Sequence, residues 1–183
     1  MKQDSERRIV CNGRYLRLID RDGWEYVERI NVSGIVTMVA VTEDDELVLV
    51  EQYRPALDRR IIELPAGLVG DREGAEDEDM KDAARRELLE ETGYEATDLV
   101  YLTEGSISSG LSAEVLTFYL CSNVRKVGPG GGDESEDIVT HVVALDDVAD
   151  WLQAKEAADV MIDSKVWSGV YFARRSQPEG DRA

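Results

Sequence analysis

Two hairpin turn signals near the start of the chain constrain its fold most, because they divide the first thirty residues into short strands. Asn12-Gly13 and Asp22-Gly23 are dipeptides that favour tight two-residue turns. They separate predicted strands at residues 8–11, 15–19 and 24–30. A sheet of this size is not stable by itself. It must therefore pack on the rest of the chain or on a second copy of it.

The remainder of the chain contains further strand patterns and a few helical ones. Strands are predicted at residues 35–42, 47–53, 60–64, 99–103, 115–121 and 138–145. Helices are predicted from near Asp79 to a stop at Gly93, from the cap residue Asp146 to Lys155, and over residues 164–174. Segment 65–70 is predicted to be a loop, and the glycine-rich segment 128–132 a flexible one.

Length and composition bound the organisation and the function of the chain. With 183 residues, 43% of them apolar, it can bury one core. We expect N-terminal strands over residues 1–31, a main domain over 32–175 and a frayed tail over 176–183. The 21 basic and 39 acidic residues give a net charge of −18, which excludes nucleic-acid binding through a general basic surface.

Cysteine, histidine and apolar patterning exclude further classes of protein. Cys11 and Cys121 are far apart and form no CxxC motif, which argues against a disulfide scaffold, a thiolate zinc site and a dithiol redox centre. The single histidine, His141, lies in a strand pattern, so Ser-His-Asp or Cys-His catalysis is not expected. The apolar run 32–41 is too short to span a bilayer, and the N-terminus lacks an apolar signal segment. We therefore expect no membrane association and a cytoplasmic location.

Three glutamates near the end of the first predicted helix indicate metal chemistry. Glu87, Glu90 and Glu91 lie on one helical face, where like charges repel unless a cation is present. Their oxygens suit hard cations such as Mg²⁺ or Mn²⁺. The alternative is a solvated acidic face on an acidic protein.

A second acidic cluster, residues 133–137, follows about forty residues later, after the glycine-rich segment. One carboxylate cluster on a rigid helix and another on a loop that can close over a ligand are the groups that metal-assisted hydrolysis of a phosphate ester or anhydride needs. The alternative for the second cluster is a solvated linker.

Residues 86–94, Arg-Glu-Leu-Leu-Glu-Glu-Thr-Gly-Tyr, resemble the second half of the Nudix box, R-E-U-x-E-E-x-G-U, where U is aliphatic or apolar. Every fixed position of this half matches. Gly67 and Glu73 resemble the glycine and glutamate of the first half, but twelve residues separate Glu73 from the arginine where the family has seven. An insertion of five residues is therefore expected, and Glu76 or Glu78 could replace Glu73.

The resemblance covers residues 24–172 and is to the ADP-ribose and nucleotide-sugar pyrophosphatase branch of the Nudix hydrolases. It is carried outside the box by segments 51–55, 63–67, 109–114 and 134–138. It implies an α+β protein with the Nudix fold, an α/β/α sandwich in which a mixed sheet is flanked by helices. It also implies an N-terminal antiparallel sheet that is exchanged between the subunits of a homodimer.

The same resemblance implies roles for individual residues. Ligands of Mg²⁺, or of Mn²⁺ in its place, would be the Ala66 carbonyl and the side chains of Glu87, Glu90, Glu91 and Glu136. Glu134 would be the general base, and Arg86 the ion-pair partner that holds helix and loop in register. Substrate contacts are expected from Tyr53, Arg54, Ser109 and Glu114. Of these, Arg54 can pair two phosphate oxygens with its planar fork.

The implied reaction is the hydrolysis of ADP-ribose or a related nucleoside diphosphate sugar to a nucleoside monophosphate and a sugar phosphate. A GDP-hexose or a dinucleoside polyphosphate is the alternative substrate, and an inactive acidic binding module is the alternative from another class of protein. Ser109 stands where this branch commonly has proline. We therefore expect a less rigid turn beside the terminal sugar of the substrate, and a broader substrate preference.

Overall fold

The computed structural model describes residues 6–72, 74–132 and 137–177. The first three strands in these ranges, β1 (Arg7–Asn12), β2 (Leu16–Arg21) and β3 (Trp24–Arg29), form a separate antiparallel sheet, as predicted. Its second turn has positive φ at Asp22 and at Gly23, the conformation that a hairpin of this twist requires. Every residue of β1 is exposed, and Ile19 of β2 is the one hydrophobic residue of this sheet that is buried.

The small sheet is attached to the rest of the chain through β3. Val27 N donates to Leu111 O at 2.8 Å, and Ala113 N donates to Val27 O at 3.0 Å. Trp24 Nε1 adds a hydrogen bond to Gly110 O at 3.2 Å. The edge of β3 therefore pairs with residues that precede a strand of the main sheet.

The main sheet has nine strands, and they run in both directions. They are β4 (Gly34–Thr42), β5 (Glu46–Arg54), β6 (Arg59–Glu63), β7 (Ala66–Val69), β8 (Tyr94–Glu95), β9 (Leu99–Ser106), β10 (Val115–Lys126), β11 (Val139–Ala144) and β12 (Met161–Ile162). The path β12-β6-β5-β4-β10-β8 is extended by β11 beside β5, β7 beside β4 and β9 beside β10. The β4–β10 and β6–β12 pairs are parallel and the other pairs are antiparallel.

Helices cover both faces of the main sheet. They are α1 (Met80–Thr92), α2 (Val148–Ala157) and α3 (Ser164–Ser176). Alternate side chains of β4 belong to two different hydrophobic cores, because successive side chains of a strand point to opposite faces of the sheet. Val36, Met38 and Ala40 pack with Ala83, Ala84 and Leu88 of α1, whereas Val39 and Val41 pack with Leu152, Val166 and Val170 of α2 and α3. The predicted mixed sheet flanked by helices is confirmed.

The ends of α1 lie where the sequence predicts them. Asp79 Oδ1 accepts from Lys81 N at 2.8 Å, and Gly93 ends the helix with a φ of 72°. The glycine-rich segment, predicted to be flexible, is hydrogen-bonded to this end. Gly131 N and Gly132 N donate to Glu91 O and Glu90 O at 2.8 and 3.0 Å. The glycines permit a close backbone approach to α1 and position the entry to the acidic segment.

Other predictions need correction. Segment 65–70 contains β7, because Ala66–Val69 pair with β4 although Ala and Gly are weak strand formers. β10 continues past Cys121, where the predicted strand ended. The sequence pattern ended early because a bulge at Asn123, with a φ of 55°, interrupts the alternation that identifies a strand. The N-cap of α2 is Asp147, not Asp146. Within the described ranges, no helix combines the length and apolar character that a membrane crossing needs.

Candidate active site

A cavity of about 620 Å³ lies where the last turns of α1 meet β7 and the ends of β5 and β6. Its lining includes the predicted metal and substrate residues Arg54, Ala66, Glu87, Glu90, Glu91 and Glu114. The structure therefore brings together six of the residues that the sequence singles out. Gly67, Arg72 and Gly132 also line the cavity, and Gly67 and Arg72 contact its carboxylates.

Glu87 approaches the backbone of β7 closely because Gly67 has no side chain. A Cβ at Gly67 would lie 2.0 Å from Glu87 Cδ. Glu87 Oε1 accepts from Arg86 Nη1 at 2.7 Å. Burial raises the pKa of the Glu87 carboxyl, and the charge of Arg86 opposes this effect. A cation in the cavity would relieve the cost of keeping this buried carboxylate ionised.

Glu91 is the most buried of the three carboxylates, with 4% of its surface exposed. Its Oε2 accepts from Ala66 N at 3.1 Å, which ties the last turn of α1 to the first residue of β7. The predicted ligands Glu91 and Ala66 are therefore neighbours in space although 25 positions separate them in the sequence.

Glu90 is held by an arginine that the sequence analysis did not single out. Arg72 Nη2 lies 2.6 and 2.5 Å from the two carboxylate oxygens of Glu90. Arg72 belongs to the segment between β7 and α1, the region of the expected insertion. No motif signalled it, because its position in this segment follows no spacing rule.

Arg86 joins β7, α1 and the segment between them. Its Nε and Nη2 each donate at 2.8 Å to one carboxylate oxygen of Glu78, and Nη2 also donates to Leu68 O at 3.1 Å. Glu78 thus makes the bidentate contact. Seven residues, 79–85, separate Glu78 from Arg86, which is the family spacing. The five-residue insertion then lies between Gly67 and Glu78, and the contact with Arg86 is what selects Glu78.

The described carboxylates do not surround one point at which a cation could be bound. Across residues 6–72, 74–132 and 137–177, no three His, Cys, Asp or Glu side chains converge closely enough to hold an ion. Glu87 and Glu90 are paired with arginines and Glu91 with a backbone N–H. Their oxygen donors fit a hard divalent cation, and the space above Gly67 allows Glu87 to reach one. The residues therefore fit Mg²⁺ or Mn²⁺.

Two of the predicted substrate residues line the cavity in ion pairs. Arg54 Nη2 lies 2.7 Å from Glu63 Oε2, and almost half of the Arg54 side chain is exposed to solvent. Glu114 Oε1 accepts from Arg29 Nε at 2.6 Å. Arg29 and Glu114 also line a second cavity, of about 560 Å³, between the small sheet and the main domain. The two cavities are therefore adjacent.

Tyr53 and Ser109 lie outside the lining of the larger cavity. The hydroxyl of Tyr53 donates to the Asp58 carboxylate, and this hydrogen bond raises the pKa of Tyr53. The turn that contains Ser109 is held without proline, because Ser108 O accepts from Leu111 N and from Ser112 N at 2.9 and 2.8 Å. These contacts supply part of the order that a proline would give.

The predicted general base Glu134, the predicted ligand Glu136 and the alternative residue Glu73 lie outside the described residues. Gly132, the last described residue before the acidic segment, lines the cavity. Glu134 follows it by two positions in the sequence. The roles of Glu134 and Glu136 stay predictions.

Comparison with known proteins identifies similar chains. A family model described as NUDIX domain matches residues 33–163. The methanol dehydrogenase activator of Bacillus methanolicus is 32% identical over 133 residues, 72% of this chain and 69% of that protein. The ADP-ribose pyrophosphatase of Bacillus subtilis (strain 168) is 31% identical over the same shares of the two chains. A crystal structure of an ADP compounds hydrolase has the same fold, with a TM-score of 0.68, 20% identity and 94% of each chain covered.

Proposed function

This chain belongs to the Nudix family, and from that premise we propose that it hydrolyses the diphosphate of ADP-ribose or of a related nucleoside diphosphate sugar, with Mg²⁺ as cofactor. One observation carries the proposal: the α1 carboxylates Glu87, Glu90 and Glu91 line one cavity with Arg54. The Bacillus subtilis relative is named for ADP-ribose hydrolysis. The products would be a nucleoside monophosphate and a sugar phosphate, AMP and ribose 5-phosphate from ADP-ribose.

The metal would be held by the Ala66 carbonyl and by the side chains of Glu87, Glu90, Glu91 and Glu136. Bound Mg²⁺, or Mn²⁺ in its place, would supply charge neutralisation for the diphosphate and acidity to the attacking water. The support for this ligand set is its chemistry, oxygen donors from a rigid helix and from the adjoining strand. On a chain of net charge −18, an anionic substrate needs such a cation beside it.

The side chains of the protein would position the substrate and accept the proton. Glu134 would take the proton from the attacking water, and the place of Gly132 in the cavity lining supports this role. Arg54 would leave Glu63 to pair with phosphate oxygens, since its fork fits both anions. Contacts by Tyr53 and Ser109 would need a substrate, or a second subunit, that extends beyond this cavity.

Separate measurements of metal affinity and turnover test the roles of the carboxylates. Glu87→Gln or Glu91→Gln should weaken Mn²⁺ binding, because each removes a negative ligand from a rigid helix. Glu134→Gln should leave the affinity nearly intact and lower kcat by about 10²–10⁴, the usual contribution of a general base. Equal metal affinities in all three variants would show that these roles are assigned wrongly.

A substrate screen tests the reaction itself. ADP-ribose, ADP-glucose, GDP-mannose and a diadenosine polyphosphate would be incubated with Mg²⁺, and monophosphate release would be followed. We expect release from ADP-ribose. Because Ser109 replaces a rigid proline in the turn beside the terminal sugar, kcat/KM for ADP-ribose should exceed that for the other nucleotide sugars by less than about a hundredfold. Faster cleavage of GDP-mannose or of the dinucleotide would favour the alternative substrates. No release from any compound would support the inactive binding module.

We also propose that the chain is a homodimer, with residues 1–31 for dimerisation and 32–175 for catalysis. The support is the exposed apolar surface of the small sheet, where Ile9, Leu16 and Trp24 are 44%, 43% and 62% exposed. In an exchanged dimer, the contacts of Val27 would form between subunits. Light scattering at micromolar concentration should give twice the chain mass, and a chain that starts at Val32 should be inactive or insoluble. A monomer mass would contradict the proposal.

A cytoplasmic location completes the proposal. Cys11 is an exposed free thiol and Cys121 a buried one. An exposed thiol without a disulfide partner is typical of a reducing compartment. Fractionation of cells that express the protein would test this location.

A further inference from the structure

Two arginines contact Glu90, but they differ in how firmly they are held. Arg86 is 16% exposed and contacts Glu78, Glu87 and Leu68 O as well as Glu90. Removing Arg86 from this network would leave buried carboxylates without a counter-ion, which is costly. Arg86 is therefore a fixed part of the fold.

Arg72 is held less firmly. Its side chain is 51% exposed and, in the described part of the chain, donates hydrogen bonds to one carboxylate only, that of Glu90, whose side chain is 38% exposed. An exposed ion pair of this kind contributes little to stability, because solvent screens both charges. The Arg72–Glu90 pair can therefore exchange partners at low cost.

A metal ion bound to Glu90 would favour such an exchange, because it would compete with Arg72 for the same carboxylate. Arg72 engages both carboxylate oxygens of Glu90 from the direction of the cavity that it lines. Each carboxylate oxygen has two lone pairs, but a cation that binds Glu90 from this cavity meets a positive charge already placed on both oxygens and competes with it.

We propose that Arg72 is an exchangeable counter-ion that holds Glu90 before the metal binds and then pairs with the diphosphate of the substrate. Arg72 contacts both oxygens of Glu90 through Nη2, and the released guanidinium, a planar fork of donors, can pair with two oxygens of a phosphate in the cavity. Arg72 is thus a substrate-binding residue on the inserted segment. This inference rests on the proposed function, because it needs both the metal site and the diphosphate substrate.

Opposite effects on metal and substrate binding test this inference. Mn²⁺ would be titrated into the full chain without substrate, and free Mn²⁺ would be measured by electron paramagnetic resonance. Arg72→Gln should bind Mn²⁺ about three- to fivefold more tightly, the range that the loss of a competing exposed ion pair can supply. At saturating Mg²⁺, its KM for ADP-ribose should rise at least about tenfold, because a charge-assisted phosphate contact is lost.

Two further variants separate competition from general charge and from the fold. Arg54→Gln removes the same charge from the same cavity without touching Glu90, and we expect its Mn²⁺ affinity to change by less than about twofold. Arg72→Lys keeps the charge but not the fork, and should lie between the wild type and Arg72→Gln in both measurements. A loss of folding would weaken both metal and substrate binding rather than separate them.

The outcomes distinguish this inference from the proposed function. If the wild type binds no Mn²⁺ or does not hydrolyse a nucleotide sugar, the proposed function and this inference both fail. If the wild type does both, and Arg72→Gln gains no Mn²⁺ affinity or keeps the wild-type KM, only the role of Arg72 is refuted. An equal gain in Arg54→Gln would also refute it, because the effect would then be general charge.

Discussion

At the scale of single residues, Gly67 sets the position of Glu87. A Cβ at Gly67 would lie 2.0 Å from Glu87 Cδ, and the φ of Gly67 is not positive, so the side-chain contact is the obstacle to substitution. Gly67→Ala should push the Glu87 carboxylate away from β7 and weaken Mn²⁺ affinity by about tenfold, a loss of roughly 1.4 kcal/mol. Thermal unfolding should change little, because a flexible side chain can move.

The matched control is Gly105→Ala, since a Cβ at Gly105 meets no atom within 4 Å. This variant should keep wild-type Mn²⁺ affinity. An equal affinity in Gly67→Ala and Gly105→Ala would contradict the role given to Gly67.

A second residue-scale prediction concerns the partner of Arg86. Glu78 makes a bidentate pair with Arg86 and is 14% exposed, whereas Glu76 is an exposed residue that hydrogen-bonds Gly74 N. Glu78→Gln should lower the free energy of unfolding in urea by about 2–3 kcal/mol, because a charged hydrogen-bonded pair is broken. Glu76→Gln should change it by less than about 0.5 kcal/mol. Similar values for the two variants would show that Glu78 is not the partner that matters.

The sequence left this pairing open for a physical reason. Counting forward from Gly67 favours Glu73, and counting back from Arg86 favours Glu78, because an insertion separates the two halves of the motif. Spacing alone cannot say which half the insertion leaves intact. The contact of Arg86 with both oxygens of Glu78 decides between the counts.

At the scale of elements, local signals predicted α1 well and β7 poorly. The limits of α1 are set by its own residues, Asp79 at one end and Gly93 at the other. β7 forms because Ala66–Val69 meet the free edge of β4, a non-local partner that no local pattern reveals. The close approach of segment 128–132 to α1 was missed for the same reason, since its glycines also suit a flexible loop.

Gly93 carries the element-scale prediction. Its φ is +72°, and a Cβ there would lie 2.2 Å from Gly128 O. Gly93→Ala therefore combines a left-handed backbone penalty of about 1 kcal/mol with a clash against backbone that should cost about 2 kcal/mol more. Urea unfolding would measure the total.

Gly74 offers the control for the backbone penalty alone. Its φ is +82° and a Cβ there meets nothing within 4 Å. Gly74→Ala should lower the free energy of unfolding by only about 1 kcal/mol. If Gly93→Ala were no worse than Gly74→Ala, the packing of the glycine segment on α1 would not contribute to stability.

At the scale of the whole molecule, Glu51 joins four elements, β5, β6, β11 and α2, on the face of the main sheet that is opposite to α1. Its carboxylate in β5 contacts Arg60 of β6 at 2.9 Å, His141 of β11 at 2.9 Å and Lys155 of α2 at 3.0 Å. Burial raises the pKa of Glu51, but hydrogen bonds from Lys155, His141 and Arg60 outweigh it and lower the pKa to about 2. The single histidine of the chain thus has a structural contact.

This lowered pKa predicts how stability depends on pH. The usual value for glutamate is 4.5, so the stabilisation by Glu51 is complete above that pH and is lost as the pH falls toward 2. The shift corresponds to about 3 kcal/mol. The difference in unfolding free energy between the wild type and Glu51→Gln should therefore be largest above pH 5 and small near pH 2. A difference that does not vary with pH would contradict the pairing.

The overall architecture followed from the sequence only through the resemblance to a family. Strand and helix patterns gave most elements, but the order of strands in the sheet depends on non-local pairing, such as the parallel contact of β4 with β10. The place of the small sheet is a similar case, because its turns are local whereas the contact of Val27 with Leu111 joins this sheet to the residues that precede β10.

The central claim is that the α1 carboxylates make this chain a metal-dependent pyrophosphatase, and a Mg²⁺ titration of ADP-ribose hydrolysis tests it most directly. AMP release by the wild type should be absent in excess chelator and should rise to saturation with Mg²⁺. In Glu91→Gln the half-saturating Mg²⁺ concentration should rise by about tenfold or more, because the ligand proposed at this buried position has lost its charge. Undiminished turnover in excess chelator, or an unchanged Mg²⁺ requirement in Glu91→Gln, would contradict the account.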